Sequence, residues 1–275
     1  MRDPSRRRGL LALAMTGIVI FLNAPIILMV MNSFQTTDVI VARRSLWPEA
    51  LTAINYERLV ADTPFLIYLK NSLITAAGST IFAVFAAVLA GYALARFRSP
   101  LLTGYARTLL AVQMFPIILA LIPLFLLFRP LGLIDNPLSV ILVYGVANLP
   151  FATWMARGYF ETIPRELEEA ALIDGCSHYG AFFRVVLPLS GPGLAAVSIF
   201  AFLLSYNEYF VANVFLRTRD AMTLPVGIQM FMQQFSTDWG GLMAAATLMM
   251  TPTLILFLFI QKFIVHGAVS GAVKG

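Results

Sequence analysis

Apolar residues run through this chain in blocks too long for the interior of a water-soluble domain. Six blocks, at about 10–32, 72–95, 106–128, 138–157, 189–213 and 242–265, reach or approach the ~20 residues with which a helix crosses a ~30 Å hydrocarbon core. Their length predicts membrane-spanning helices rather than buried strands. The expected fold class is therefore all-α: a polytopic membrane protein of six transmembrane helices forming a single domain over residues 1–275. The first block follows MRDPSRRR, a charged start like that of a signal peptide, but it is longer than the ~7–15 apolar residues of such a leader and has no A-x-A cleavage site. It is read as a retained span.

Composition supports this placement, since only 12% of residues are charged and mean hydropathy is +0.82, leaving too little polar surface to cover a soluble domain. Arg2, Arg6, Arg7 and Arg8 hold the N-terminus in the cytoplasm, and six spans return the C-terminus, with Lys262 and Lys274, to the same side. The loop with Arg96, Arg98 and Arg107 falls inside as well. Against this, Arg43, Arg44, Arg58 and Lys70 fall outside, accompanied by Asp38, Glu49, Glu57 and Asp62. The net charge of +5 is explained by membrane orientation and calls for no nucleic acid.

Much chemistry is excluded. One cysteine, Cys176, rules out an internal disulfide and any CxxC site, and two histidines, His178 and His266, are too few and too separated for HExxH. Cys176 and His178 are read as ordinary polar-surface residues. The three lysines follow Leu69, Gln261 and Val273, so the Gly-Lys of a phosphate-cradling loop is absent. No catalytic residue and no metal ligand is expected; the reading is not an enzyme but a transporter, channel or scaffold. Within the apolar blocks the notable polar group is in FAFLLSYNEYFVANVF, where Asn207, Glu208 and Asn213 interrupt the fifth block. Two readings stay open for Asn207 and Glu208, a polar face on a translocation path or a structural hydrogen-bonded pair. Pro116, Pro123 and Pro150 fall in or at the third and fourth blocks, where neighbouring helices can satisfy freed carbonyls.

The interruption at 158–188 falls on the cytoplasmic side between the fourth and fifth spans. Pro164 suits a first helical position, Glu166, Glu168 and Glu169 suit the positive end of a helix, and Gly175 suits a left-handed cap. Leu167, Ala170 and Ala171 stand at i, i+3 and i+4, predicting a small apolar ledge with Glu168 on the exposed acidic side. Ser177 caps a second helix anchored by Phe182, Phe183 and Val186, and Leu187-Pro188 redirects the chain into the membrane. An interfacial lipid-bound helix would carry Lys and Arg on its polar face, so this acidic elbow suits docking into a protein groove instead.

These residues resemble a family. Glu169-Ala170-Ala171, three residues, Gly175, nine residues, Val185, one residue and Leu187-Pro188 is similar to the EAA signature of permease subunits in binding-protein-dependent ABC importers, with Val185 where isoleucine is usual. SYNEYFVA resembles a tryptophan-asparagine-acidic segment of carbohydrate permeases, with Tyr206 in place of tryptophan. TLPVGIQMFMQQFSTDWGGLMAA resembles the loop that reaches into the binding protein, and SGAVKG the tail that contacts the ATPase. The resemblance covers nearly the whole chain and is to the MalG-like permease of a heterodimeric sugar importer.

That resemblance implies a type I ABC importer permease (MetI-like) fold in a bacterial inner membrane, with 158–188 as the coupling loop. Glu169, Ala170, Ala171, Asp174, Gly175, Leu187 and Pro188 would couple to the ATPase, Ser270, Gly271 and Lys274 would touch it through the tail, and Gln233, Gln234, Asp238 and Trp239 would meet the binding protein. It implies as partners a second, non-identical permease, two ATPase subunits, which bind the ATP and Mg, an extracytoplasmic solute-binding protein and a sugar-like solute. No cofactor is expected in this chain. The function implied is alternating-access import of a carbohydrate or related polar solute. Another ABC import class, for amino acids or other small solutes, shares the EAA motif, but the long first outer segment and SGAVKG tail favour sugars. An ion-coupled secondary transporter is disfavoured by the elbow and by the scarcity of carboxylates in the spans.

Overall fold

The computed structural model describes residues 4–42, 51–232 and 236–272. These residues are helical apart from short connections and one isolated antiparallel bridge, Met232 to Thr237. They divide into two compact units, Met1–Phe65 with Ile228–Thr251, and Leu66–Gly227 with Pro252–Gly275.

The first unit opens with α1 (Pro4–Ser33), whose 18-residue apolar window is 0% buried. A helix apolar all round with no covered face has its solvent in lipid or in another chain. Its end is tied down by polar contacts. Asn55 on α3 (Ile54–Asp62) donates from Nδ2 to the carbonyls of Ser33 and Gln35, both at 2.8 Å, and Ser33 Oγ meets Tyr56 Oη at 2.6 Å. Between them, α2 (Thr37–Val41) lets Thr37 Oγ1 donate to Asp238 Oδ1 at 2.5 Å and accept from Gly240 N at 3.0 Å. Gly240 is required by close approach, because a Cβ there would lie 2.7 Å from the Gln35 carbonyl oxygen.

The second unit contains most of the long apolar helices. The run α4 (Phe65–Arg96), α5 (Pro100–Met114), α6 (Ile117–Phe128) and α7 (Pro137–Thr162) leads to the elbow, formed by α8 (Glu166–Ile173), α9 (His178–Ala181), a π turn (Phe182–Val186) and α10 (Leu187–Leu189). Then come α11 (Gly191–Tyr206), α12 (Phe210–Phe215) and α13 (Leu224–Gly227), and α14 (Trp239–Ala272) follows, assigned to the first unit up to Thr251 and to the second from Pro252. Small residues bring α4 and α7 together: a Cβ on Gly91 would lie 2.9 Å from Arg157 N, and one on Gly78 would lie 2.8 Å from Ile141 Cδ1. Close backbone approach of this kind is how helices gain packing energy where lipid removes the hydrophobic drive between them. One buried polar knot adds specificity. Ser79 of α4 and Asn148 of α7 both donate to Ser205 Oγ of α11 at 2.9 Å, and Asn148 also reaches the Ala201 carbonyl at 3.3 Å. A large apolar cluster, including Phe128, Val140, Tyr144, Val211 and Phe215, packs α6, α7 and α12.

Among the described residues four helices are long and apolar enough to cross a membrane, Leu11–Ser33, Phe65–Arg96, Pro137–Thr162 and Trp239–Phe259, and up to six spans result if each of two bent pairs is one span. Those pairs correct the simple picture of straight rods. The block at 106–128 turns by 97° between α5 and α6, because Pro116 disfavours helical backbone at Phe115, which adopts φ −80° and ψ 122°. The second bend, of 72°, separates His178–Leu189 from Gly191–Tyr206 at the very start of the block at 189–213, whose helix stops at Tyr206 rather than continuing to 213. Pro123 and Pro150, by contrast, stay inside α6 and α7.

Candidate functional site

The elbow is built by local chemistry. Gly175 has φ +89°, its N–H reaches the Leu172 carbonyl at 3.1 Å, and Cys176 N–H reaches the Ala171 carbonyl at 2.9 Å. This is the paired closure by which a left-handed glycine satisfies the last carbonyls of a helix. Ser177 Oγ then accepts from Gly180 N at 3.1 Å and starts α9. Pro164 lies two residues before α8 rather than at its first position, and Arg165 occupies the cap.

Burial rearranges the expected faces. Ala171 is 8% exposed, whereas Leu167 and Ala170 face outward, so the three do not form one ledge. The outward surface combines Glu166, Leu167, Glu169, Ala170, Ile173 and Asp174, with Ile173 85% exposed and Tyr179 81% exposed just beyond it. Phe183 is also exposed, with its ring 4.9 Å from that of Phe182, while Phe182 and Val186 are buried with Ala156 and Phe160. The Tyr92 ring lies 4.5 Å from that of Phe182 and 5.7 Å from that of Phe160, pinning the π turn to α4 and α7. Leu187 packs against the same cluster, and Pro188 is exposed.

Glu168 is the main correction. It turns inward with Ala171, where Arg96 Nε donates to Glu168 Oε1 and Tyr92 Oη donates to Glu168 Oε2 at 2.9 Å. The Arg96 and Glu168 side chains are only 7% and 14% exposed. Arg96 Nη2 also reaches the Ile163 carbonyl at 3.0 Å, and Arg165 Nη2 reaches back to the carbonyls of Ala95 and Arg96 at 3.3 Å each. The last turn of α4 and the first turn of α8 thus share a lattice of charge-assisted bonds, stronger than neutral ones. Sequence reasoning missed Tyr92 and Arg96 because they lie far from Glu168 along the chain. The available signal was that Glu168 shares the i, i+3, i+4 set of Ala171 and Leu172.

At the other end of the bundle, Asn207 and Glu208 fall in the break between α11 and α12. Glu208 accepts from Phe210 N at 2.8 Å and from Val211 N at 3.0 Å, so its carboxylate caps α12, and its carbonyl accepts from Tyr144 Oη at 3.2 Å. Asn207 is exposed and donates to the Leu203 carbonyl at 2.9 Å. Asn213 does not join them, lying within α12. Of the residues expected to meet a binding protein, Asp238 caps α14 through Gly241 N at 3.1 Å and accepts from Thr37, while Trp239 begins the helix and is 39% exposed. Gln233, Gln234 and Lys274 lie outside the described residues; Ser270 and Gly271 fall in the last turn of α14.

With this geometry in place, comparison with known proteins is informative. Residues 83–269 match the model of the binding-protein-dependent transport system inner membrane component family. The sulfoquinovosyl glycerol transport system permease protein SmoH of Agrobacterium fabrum is 37% identical over 91% of this chain and 88% of its own. The trehalose/maltose transport system permease protein MalG of Thermococcus litoralis is 34% identical over the whole of both chains. Among solved structures, a bacterial ABC transporter involved in import of the acidic polysaccharide alginate matches with a TM-score of 0.79 at 24% identity, covering 95% of this chain and 98% of that one. The chain therefore has the fold of an ABC importer permease.

Proposed function

The chain belongs to the family of binding-protein-dependent transport system inner membrane components, and on that premise we propose that it is one permease subunit of an ATP-driven carbohydrate importer. The sugar class is supported by relatives named for transport of sulfoquinovosyl glycerol, diacetylchitobiose and trehalose/maltose, which are 37%, 33% and 34% identical over most of the chain. The observation that carries the mechanism is the elbow: α8 is clamped to α4 on one side and shows small, apolar and acidic residues on the other.

In this reading the α8 end and both termini are cytoplasmic, and the outward face of Glu169, Ala170, Ile173 and Asp174 docks on an ATPase subunit. Ala171 and Leu187 hold the elbow from within. ATP-driven closure of two such subunits displaces α8, and the displacement enters the bundle at two points, α4 through Glu168 and Arg96, and α11 through the π turn and α10. A second, unlike permease completes the pathway, a loaded binding protein docks outside on the segment containing Gln233, Gln234 and Trp239, and the tail at Ser270, Gly271 and Lys274 adds an ATPase contact. Because Glu208 is occupied as a cap, Asn207 is the polar group at that break left to face solute. ATP and the binding protein must each favour one conformation, or no work is coupled.

The test is purification of the tagged chain from its own membranes, followed by reconstitution. A second permease and an ATPase are expected to accompany it, with uptake requiring ATP and loaded binding protein. Uptake by the isolated chain driven by an ion gradient would overturn the proposal.

A further inference from the structure

The α8 end of the second unit carries a polar cavity that docking does not use. It measures ≈ 390 Å³ and opens where the end of α4, the start of α5 and the last turns of α7 meet. Arg98, Arg157 and Arg165 line it, with Glu161 as the one carboxylate among its lining residues. Glu161 is taken by Arg157, whose Nε donates to Oε1 at 2.7 Å and whose guanidinium also stands 5.2 Å from the Trp154 ring centroid. Among the described residues Arg98 has no ion-pair partner, and Arg165 bonds only to carbonyls at the end of α4. Positive charge is therefore left unmatched, and α5, capped by Ser99, turns the positive end of its dipole toward the same space. Leu94 and Leu102 supply apolar wall beside the arginines. An apolar wall under a cationic rim, at the end of a bundle whose long helices cross the bilayer, is arranged for a ligand with a charged head and a greasy body.

We propose that this cavity is a binding site for the phosphate of an anionic phospholipid, held by the guanidinium groups of Arg98 and Arg157. Guanidinium presents a planar fork of donors that matches phosphate oxygens, and basic pockets between transmembrane helices take lipid headgroups in this way. Arg165 links the site to the elbow, since it immediately precedes α8 and its Nη2 already bridges to α4. An occupied site stiffens that junction, so anionic lipid increases the response of the elbow. This last step rests on the proposed docking role of α8, whereas the binding itself does not.

The test uses the assembled complex containing the full chain, titrated in detergent with phosphatidylglycerol, phosphatidylcholine or inorganic phosphate and read by native mass spectrometry. Phosphatidylglycerol is expected to be retained over phosphatidylcholine, with retention falling roughly fivefold in Arg98→Gln and substantially restored in Arg98→Lys. Arg98 is exposed and holds no other element, so the Gln variant keeps the fold. Equal phosphatidylglycerol retention by the parent and Arg98→Gln overturns the site. Binding of inorganic phosphate that depends on Arg98, without lipid preference, overturns the lipid assignment in favour of a soluble phosphoryl ligand. In a parallel measurement of ATPase stimulation by loaded binding protein, Arg98-dependent lipid binding with no effect on that stimulation supports the site and overturns the stiffening step alone.

Discussion

Glu168→Gln is expected to lower transport roughly tenfold at matched membrane abundance, equivalent to about 1.4 kcal/mol of lost coupling. The amide keeps the shape of the carboxylate but removes the charge that Arg96 and Tyr92 both address, in a site where the two ionic side chains are 7% and 14% exposed. Removing one member of a nearly buried pair leaves the other without compensation, at about 1–3 kcal/mol for a hydrogen-bonded group. The loss is local, because the long helices keep their small-residue contacts and the Ser79, Asn148 and Ser205 knot. Insertion and yield should thus stay normal. Arg96→Gln should behave alike, and the double variant should be less impaired than the two effects summed, with an interaction of roughly 0.5–3 kcal/mol. Vesicle uptake by the four proteins of this cycle is the check, and strict additivity would dissociate the pair from transport.

Gly175→Val is expected to abolish most coupling, while Gly175→Asn should retain it. Nothing within 4 Å would meet a Cβ at this position, so in this chain the constraint is the backbone, at φ +89°. A left-handed conformation is inexpensive for glycine and tolerated by asparagine, but adds about 1–2 kcal/mol for an ordinary residue with a β-carbon. A β-branched side chain is worse placed still. Valine would therefore reopen the cap that turns the chain from α8 into α9 and misdirect the outward face of α8. ATPase stimulation by loaded binding protein should fall with Val and persist with Asn; equal stimulation would remove the cap from the mechanism.

The contrast between these two positions shows what the sequence could convey. Gly175 was legible because a left-handed cap is a local requirement, written within the few residues that satisfy α8. Glu168 was not, because helical spacing groups residues onto faces without telling which face another element covers: Leu167, Ala170 and Ala171 have the same kind of spacing as Glu168, Ala171 and Leu172. Arg96 sits at the end of an apolar helix, where its charge reads equally well as an orientation signal. The same limit applies to the polar knot, since Ser79, Asn148 and Ser205 occur one to a helix. The apolar blocks announced helices, yet not the 97° turn at Pro116, because prolines inside membrane helices are often accommodated, as Pro123 and Pro150 are. Glu208 lay at a visible interruption, and its role as a cap depended on the helix stopping at Tyr206.

The central proposal is that α8 and the Arg96 end of α4 move as one body when the proposed ATPase subunits close. It is tested most directly by the distance between spin labels at Phe97 and Ile173, both exposed, in a Cys176→Ser background, measured in the assembled importer with and without ATP. The account predicts a distance that holds to within the ~2 Å by which packed helices slide, in the same samples in which ATP drives uptake. A larger change between the two states, with transport intact, would show that the elbow moves independently of α4 and would contradict the account.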